Sequence, residues 1–210
     1  MEKFRTATIF DCEYLTADGA MKRYWAGPTD PDPVVAQIGA VNLSLGGDYP
    51  VVGSKRIYIG PLDRNGKKQK LDPYFTDLTG ISQEEMDQNG VDLAEALGQF
   101  DRFSNGGTFW SWGKDELNLL GISCFVAGVA PPISAHRFGN AKSLMVRAGM
   151  SPEDIEMTTS GQLAQRFEIP HDNQRYHDAL DDALSIALTL QHFLRGGQLS
   201  QSDFHFPNHT

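Results

Sequence analysis

The feature that most constrains the fold is a pair of carboxylates inside an apolar run near the start of the chain. Residues 6–14, TATIFDCEY, are rich in strand-forming side chains and contain no turn residue, so they predict a buried β-strand. Side chains alternate between the two faces of a strand, which puts Asp11 and Glu13 on the same face. A buried charge is costly unless a partner offsets it. Two carboxylates on one rigid face form a hard-oxygen platform for Mg²⁺ or Mn²⁺.

The rest of the chain alternates strand-like and helix-like segments. Further strands are predicted at 34–45, 51–60, 108–112 and 133–138. Helices are predicted at 72–88, where they are short, and at 91–104, 114–128, 140–149, 159–167 and 178–195. The GGDYP turn makes the second and third strands antiparallel neighbours, and the first strand is expected beside them. An antiparallel hairpin next to parallel strands, covered by helices, is an α/β fold with a mixed sheet.

The size and charge of the chain limit what it can bind. The chain has 210 residues, of which 40% are apolar, so we expect a single α/β domain around one core. Its 18 lysines and arginines against 27 acidic residues give a net charge of −9. Because proteins that track long nucleic acids usually show a basic face, this charge argues against extensive duplex binding. A short single-stranded end stays possible, since metal ions can neutralise its phosphates locally.

The sequence predicts a cytoplasmic protein without a membrane anchor. There are only two cysteines, Cys12 and Cys124, and Cys12 lies between the two acidic residues of the first strand, so we expect no structural disulfide. The first residues, MEKFRTATIFD, show no signal peptide. The longest apolar run, at 122–129, stops before two prolines and is too short to span a bilayer.

Further acidic residues stand at the starts of predicted helices. Asp115 in FWSWGKDELNLL follows the fourth strand, where an aspartate can cap a helix, bind a metal ion or do both. The last helix opens with YHDALDDALSIAL, which contains His177, Asp178, Asp181 and Asp182. Asp178 is the best candidate for the N-cap. Asp181 and Asp182 lie on opposite borders of the apolar arc of the helix, so periodicity does not choose between them.

His177 and Asp182 can converge only under one local condition. They are five residues apart, which corresponds to about 140° on an α-helix and turns their side chains away from each other. If Asp178 caps the helix, His177 lies on the preceding loop and can turn towards Asp182. We therefore expect a histidine on a loop, followed by a capped helix.

Together these motifs resemble the DEDD 3′–5′ exonuclease superfamily in its histidine-bearing subclass (DEDDh), which has a ribonuclease H-like fold. The matching segments are DCE in the first strand, Asp115 after the fourth strand, and H-x-A-x-x-D at 177–182. VVAQIGAV and LTGISQ make the pattern closest to the histone-mRNA exonuclease type. The segment WGKDE departs from the family, because it lacks the aromatic residue that often precedes this aspartate.

The resemblance covers about residues 6–195 and defines the expected domain boundaries. An exonuclease domain is predicted at 1–196. The remaining residues, 197–210, contain proline and are mostly polar, so they predict a poorly ordered C-terminal tail.

The resemblance implies a mechanism that uses two Mg²⁺ or Mn²⁺ ions. Asp11 would bridge both ions. Glu13 and Asp182 would complete the site of the ion that binds the attacking water, and the family spacing selects Asp182 over its neighbour. Asp115 would serve the second ion. His177 would be the general base, a role that suits the usual imidazole pKa of ~6.5. The implied reaction releases nucleoside 5′-monophosphates from the 3′ end of single-stranded RNA or DNA.

The resemblance also implies several substrate contacts. Tyr14 and Leu15 directly follow the metal pair, where an aromatic or apolar side chain can stack on the terminal base. Phe75, Thr79 and Gly80 in FTDLTGI would border the same cleft. For each of these residues, packing in the core is an equally good interpretation. The sequence identifies no protein partner.

Two other functions are compatible with the same fold. A non-catalytic nucleic-acid-binding module could retain it, although such a module has little use for four carboxylates and a histidine. An endonuclease would cut circular single strands, which offer no end to an exonuclease.

Overall fold

A computed structural model of the chain describes residues 6–171 and 175–206. Across these residues, five strands form one sheet: β1 Thr6–Tyr14, β2 Val35–Ser44, β3 Val51–Tyr58, β4 Thr108–Ser111 and β5 Phe138–Asn140. The helices are α1 Pro73–Thr79, α2 Gln83–Asn89, α3 Leu93–Ser104, α4 Asp115–Ala127, α5 Ala141–Arg147, α6 Pro152–Met157, α7 Leu163–Arg166 and α8 Ala179–Arg195. Short 3-10 turns lie at Met21–Arg23, Ala135–Arg137, Ser160–Gln162 and Gln201–Phe204.

The sheet is mixed, as the sequence predicted. Its order is β3-β2-β1-β4-β5, with β1 at the centre. β2 is antiparallel to both β1 and β3, whereas β4 is parallel to both β1 and β5. Because β1 and β4 are parallel, their carboxyl ends lie at the same edge of the sheet. The residues that follow the two strands therefore meet at this edge.

The two faces of β1 have different neighbours. Ile9 belongs to an apolar cluster with residues of α5, α7 and α8, whereas Phe10 and Cys12 belong to a second cluster with residues of α3 and α4. By strand alternation, Asp11 and Glu13 share the face of Ile9. The acidic pair therefore points to the side of the sheet that α8 covers.

The fifth strand lies later in the chain than the sequence predicted. The fifth strand was expected at 133–138 but runs over Phe138–Asn140. It pairs with β4 from Phe109 to Ser111, and residues Ala135–Arg137 of the expected strand form a 3-10 turn instead. Helix α6 was not predicted, although Ser151 caps it and a proline takes its first position, which is typical of a helix start.

The described part of the C-terminal segment, 197–206, is packed on the domain, where the sequence predicted a poorly ordered tail. Leu199 and Phe204 are buried in the cluster beneath α8. The ring of Phe206 stacks on Trp110, with 5.0 Å between the ring centroids. These few apolar side chains outweigh the polar composition of the segment. Residues 207–210 of the predicted tail lie outside the described residues.

Cys12 and Cys124 are both buried and free. Burial raises the pKa of both thiols. Within 6–171 and 175–206, none of the helices combines the length and the apolar character that crossing a membrane requires.

Candidate metal centre

The acidic pair of β1 lies near the carboxyl end of the central strand. Asp11 pairs with Gly39 on β2, and Glu13 pairs with Gln37. Only 7% of Asp11 and 8% of Glu13 is exposed. Regular pairing continues to Glu13, and the register shifts only before Tyr14. The sheet therefore holds both carboxylates on a regular, rigid stretch of backbone.

The start of α8 is fixed to the sheet beside these carboxylates. Asp178 caps the helix and accepts two backbone N–H groups of its first turn, which confirms the predicted cap. The guanidinium of Arg56 on β3 donates to both carboxylate oxygens of Asp178, at 2.6 and 2.7 Å. Gln37 on β2 accepts the backbone N–H of Ala179. Two strands thus hold the first residues of the helix.

A glycine allows α8 to approach the sheet closely. Gly39, opposite Asp11, lies against the backbone of Ala179, and a Cβ at this position would stand only 2.1 Å from the Ala179 carbonyl carbon. Any side chain there would push the helix outward, and Asp182 with it. The close contact at Gly39 therefore sets how near Asp182 comes to β1.

Asp11, Glu13 and Asp182 converge on one point, and we call them the carboxylate cluster. Each offers one oxygen, and these oxygens lie within 4.8 Å of one another. Asp182 is only 6% exposed, whereas Asp181 is half-buried and accepts the backbone N–H of Arg175. Of the two aspartates that the helical wheel left open, the structure brings Asp182 to the acidic pair of β1.

Without a cation, it is unfavourable for all three carboxyl groups of the carboxylate cluster to be ionised. Burial first, and neighbouring carboxylates second, raise the pKa of Asp11 well above its usual value. The same two causes raise the pKa of Glu13 to about 8 and that of Asp182 to about 7. At neutral pH the three groups are not all ionised unless a positive charge joins them. A divalent cation supplies that charge.

The ligand atoms of the cluster fit Mg²⁺ or Mn²⁺. All three residues offer carboxylate oxygens, which are the hard ligands that these ions prefer. Among the described residues, Oδ1 of Asp182 finds no hydrogen-bond partner although it is buried. A buried carboxylate oxygen without a partner is costly, and a bound cation would satisfy it. The residues present therefore fit the metal that the sequence implied.

His177 lies on a turn beside the cluster. It immediately precedes the capping residue Asp178 and has a φ of 59°, so it stands outside the helix as predicted. Its backbone N–H hydrogen-bonds to Asp182 and, together with the Ser160 hydroxyl, opposes the rise in the Asp182 pKa that burial causes. The imidazole is exposed and accessible to a bound water or substrate.

The start of α4 differs from the prediction. Asp115 is the first residue of the helix, and it is exposed. The next residue, Glu116, is only 7% exposed, and within the described part of the chain its Oε2 lacks a hydrogen-bond partner. Sequence patterns did not single out Glu116, although a signal existed. With Leu119, Leu120 and Ser123 it follows the i, i+3, i+4, i+7 spacing of one buried helix face.

Three of the predicted substrate contacts are packed inside the domain. Leu15 and Phe75 are 2% and 0% exposed, and both belong to an apolar cluster around Ile81 and Met86. Thr79 is buried, and its hydroxyl donates to the carbonyl of Phe75. For these residues the structure supports the packing interpretation.

The other two predicted contacts have accessible surface. Tyr14 is half-buried, and its ring lies 5.6 Å from that of Trp25. Burial, followed by the charges of nearby carboxylates, raises the pKa of Tyr14 to about 12. Gly80 is exposed at the end of α1, where a side chain would collide with the guanidinium of Arg175. Contact of Tyr14 and Gly80 with a substrate stays a prediction.

Comparison with known proteins identifies the fold. No family model matches the sequence, and no curated protein matches it. Among solved structures, a 3′-exonuclease that recognises the histone mRNA stem-loop aligns with a TM-score of 0.72 and 17% identity, over 94% of this chain and 84% of its own. Cell-death related nuclease 4 aligns with a TM-score of 0.69 and 22% identity, over 93% of this chain and 65% of its own. E. coli exonuclease I in complex with a dA16 oligonucleotide aligns with a TM-score of 0.59 and 15% identity, over 91% of this chain and 41% of its own.

At these identities the likeness concerns the fold. A mixed sheet flanked by helices is common to the chain and to these nucleases, which confirms the expected ribonuclease H-like architecture. The chain spans 62% of a full-length 3′-exonuclease and 65% of cell-death related nuclease 4.

Proposed function

We propose that the chain is a metal-dependent 3′–5′ exonuclease that hydrolyses phosphodiester bonds at the 3′ end of single-stranded RNA or DNA. The observation that carries the proposal is the buried carboxylate cluster, whose three oxygens lie within 4.8 Å of one another. The exposed His177 lies beside it. The fold shared with 3′-exonucleases supports the reaction. The complexes of its structural neighbours with histone mRNA and with an oligonucleotide support the substrate class.

The acidic residues would divide between two Mg²⁺ or Mn²⁺ ions. Asp11, at the centre, would contact both ions, and Glu13 and Asp182 would complete the site on the α8 side. The start of α4, with Asp115 and Glu116, would serve the other ion. When bound, two such ions lower the pKa of a water and stabilise the attacking and leaving oxygens of an in-line displacement.

His177 would act on the attacking water. Its imidazole would accept a proton at a ring nitrogen while the water oxygen attacks the phosphorus. The bond between phosphorus and the 3′ oxygen of the preceding nucleotide breaks, and that oxygen takes up a proton. The products are a nucleoside 5′-monophosphate and a chain shortened by one nucleotide. The turn before α8 suits this role because the His177 backbone is hydrogen-bonded to Asp182.

The exposed residues around the cluster would hold the terminal nucleotide. Tyr14 directly follows Glu13, and its half-exposed ring would stack on the last base. Arg175 is exposed beside Gly80, where its guanidinium would approach a phosphate. Both contacts tolerate any base, which fits an enzyme that removes successive nucleotides.

We also propose a cytoplasmic location. Cys12 and Cys124 are free and buried, and unpaired cysteines are typical of a reducing compartment.

A labelled single strand tests the proposed function. With Mn²⁺, 5′-labelled RNA or DNA should shorten stepwise from its 3′ end, and EDTA should stop the reaction. Asp11→Asn should lower the rate on the order of 10³-fold or more, because it removes the ligand common to both ions. Glu156→Gln on α6 is the matched control, since it neutralises an exposed carboxylate outside the cluster.

The alternatives give different results in the same assay. Strands that are bound but never shortened would indicate a non-catalytic nucleic-acid-binding module. Cleavage of circular single strands would indicate an endonuclease.

A further inference from the structure

We infer, on the basis of the function proposed above, that Glu116 rather than Asp115 supplies the carboxylate that holds the second divalent cation against Asp11. Asp115 is the residue that the family resemblance selects, and Glu116 is its buried neighbour in the first turn of α4.

The topology of the sheet brings the start of α4 to Asp11. β1 and β4 are adjacent and parallel, and Ile9 pairs with Trp110. Asp11 lies two residues beyond Ile9, and α4 begins five residues beyond Trp110, at the same edge of the sheet. The side of Asp11 that faces away from β2 is therefore the side on which α4 starts.

Burial distinguishes the two acidic residues of α4. Asp115 is exposed, whereas Glu116 is 7% exposed. Among the described residues, Oε2 of Glu116 is buried and has no hydrogen-bond partner. A buried carboxylate is costly unless all its oxygens are satisfied, so Oε2 lacks the partner that a cation would provide.

A purely structural role explains Glu116 less well. An acidic residue in the first turn interacts favourably with the helix dipole. Asp115, in the same turn, already provides this interaction from an exposed position, without the cost of burial.

Counting bound ions tests the assignment without relying on nuclease activity. Mn²⁺ is titrated into the protein in the presence of a nucleoside 5′-monophosphate, and free Mn²⁺ is followed by electron paramagnetic resonance. The wild type should bind two ions. Glu116→Gln should retain one site and weaken the other by ~100-fold or more, whereas Asp115→Asn, which changes a residue next to the ligand, should weaken it by no more than ~10-fold. Glu116→Asp keeps the charge on a shorter side chain, and its affinity for the second Mn²⁺ ion should lie between those of Glu116→Gln and Asp115→Asn.

Thermal melts in EDTA separate a ligand from a structural residue. If Glu116 is a ligand, Glu116→Gln removes buried repulsion and should melt at or above the wild-type temperature. A lower melting temperature in EDTA together with two intact Mn²⁺ sites would overturn the assignment. So would loss of the second site in Asp115→Asn but not in Glu116→Gln. A wild type that binds two ions through Glu116 but leaves single strands intact would refute the exonuclease proposal and uphold this ligand.

Discussion

The two helix starts on either side of Asp11 are built differently. Asp178 caps α8 and forms an ion pair with Arg56 on β3, and the backbone of Ala179 lies against Gly39 on β2. α4 follows Lys114, which provides no side-chain cap. The start of α8 is therefore held by its own cap and by contacts to two strands of the sheet, whereas the start of α4 has no side-chain cap. We expect the α8 half of the site to be preorganised and the α4 half to settle when the ion binds.

Within the comparison of the two helix starts, the largest effect is expected when Asp182, rather than its neighbour Asp181, is neutralised. Asp182→Asn should lower the cleavage rate on the order of 10³-fold, because it removes a charge from the preorganised half of the site. Asp181→Asn should retain most of the rate, since Asp181 accepts the backbone N–H of Arg175 outside the cluster. Single-turnover cleavage of a 5′-labelled strand in saturating Mn²⁺ measures both.

The pair also serves as its own control, because each change neutralises one aspartate in the same helical turn. An inactive Asp181→Asn beside an active Asp182→Asn would show that the family spacing had been applied to the wrong residue.

A smaller effect is expected at His177. Because His177 has a φ of 59°, asparagine is the better replacement than alanine, since it tolerates the left-handed region. His177→Asn should lower turnover by ~10²-fold, the lower end of what a general base contributes, and leave Mn²⁺ affinity unchanged. His136→Asn, an exposed histidine on a 3-10 turn, is the control. Loss of Mn²⁺ affinity with turnover intact at saturating metal would make His177 a ligand instead of a base.

The sequence predicted the α8 half better than the α4 half for a physical reason. The position of His177 follows from a local rule: Asp178 is a strong N-cap, so the preceding residue lies on a loop. The choice between Asp115 and Glu116 depends on where β4 ends relative to β1, which is a tertiary property. Both are acidic residues in the first turn of a helix, and the one local signal that favours burial of Glu116 is its helical spacing with Leu119, Leu120 and Ser123.

The substrate contacts show the same limit. Leu15 and Phe75 lie at positions that the family pattern places near the cleft, and their burial depends on α1 packing against the sheet. Short-range patterns predict that such side chains are apolar, but not which surface covers them. The fold itself was predictable because strand alternation, the GGDYP turn and the helix caps agree with one another.

The contacts at the α8 start should contribute measurably to stability. Asp178→Ala removes both the cap and the partner of Arg56, so it should lower the free energy of unfolding by about 2 kcal/mol, more than the ~1 kcal/mol of a cap alone. Lys114→Ala at the start of α4 should change it by less than ~0.5 kcal/mol, since Lys114 makes no side-chain cap. Urea unfolding in EDTA compares the two variants. Equal effects would mean that the two helix starts are not held differently.

The stability of the metal-free protein should also depend on pH. Burial raises the pKa of Glu13 to about 8 and those of Asp182 and Glu116 to about 7, whereas the same groups in the unfolded chain titrate near ~4. Between these limits the folded state holds more protons than the unfolded state, so stability falls as pH rises. In EDTA, the melting temperature should therefore be lower at pH 8 than at pH 6.

Saturating Mn²⁺ should reverse that trend, because the ion binds the deprotonated carboxylates and stabilises the folded state more as pH rises. Variants on the two sides of Asp11 then show how each half contributes. Asp182→Asn and Glu116→Gln should each flatten the slope in EDTA, and Asp181→Asn should leave it close to that of the wild type, since Asp181 is only half-buried. A metal-free melting temperature that is level or rises from pH 6 to pH 8 would mean that these carboxylates are already ionised in the fold, and that no cation is needed to offset their charge.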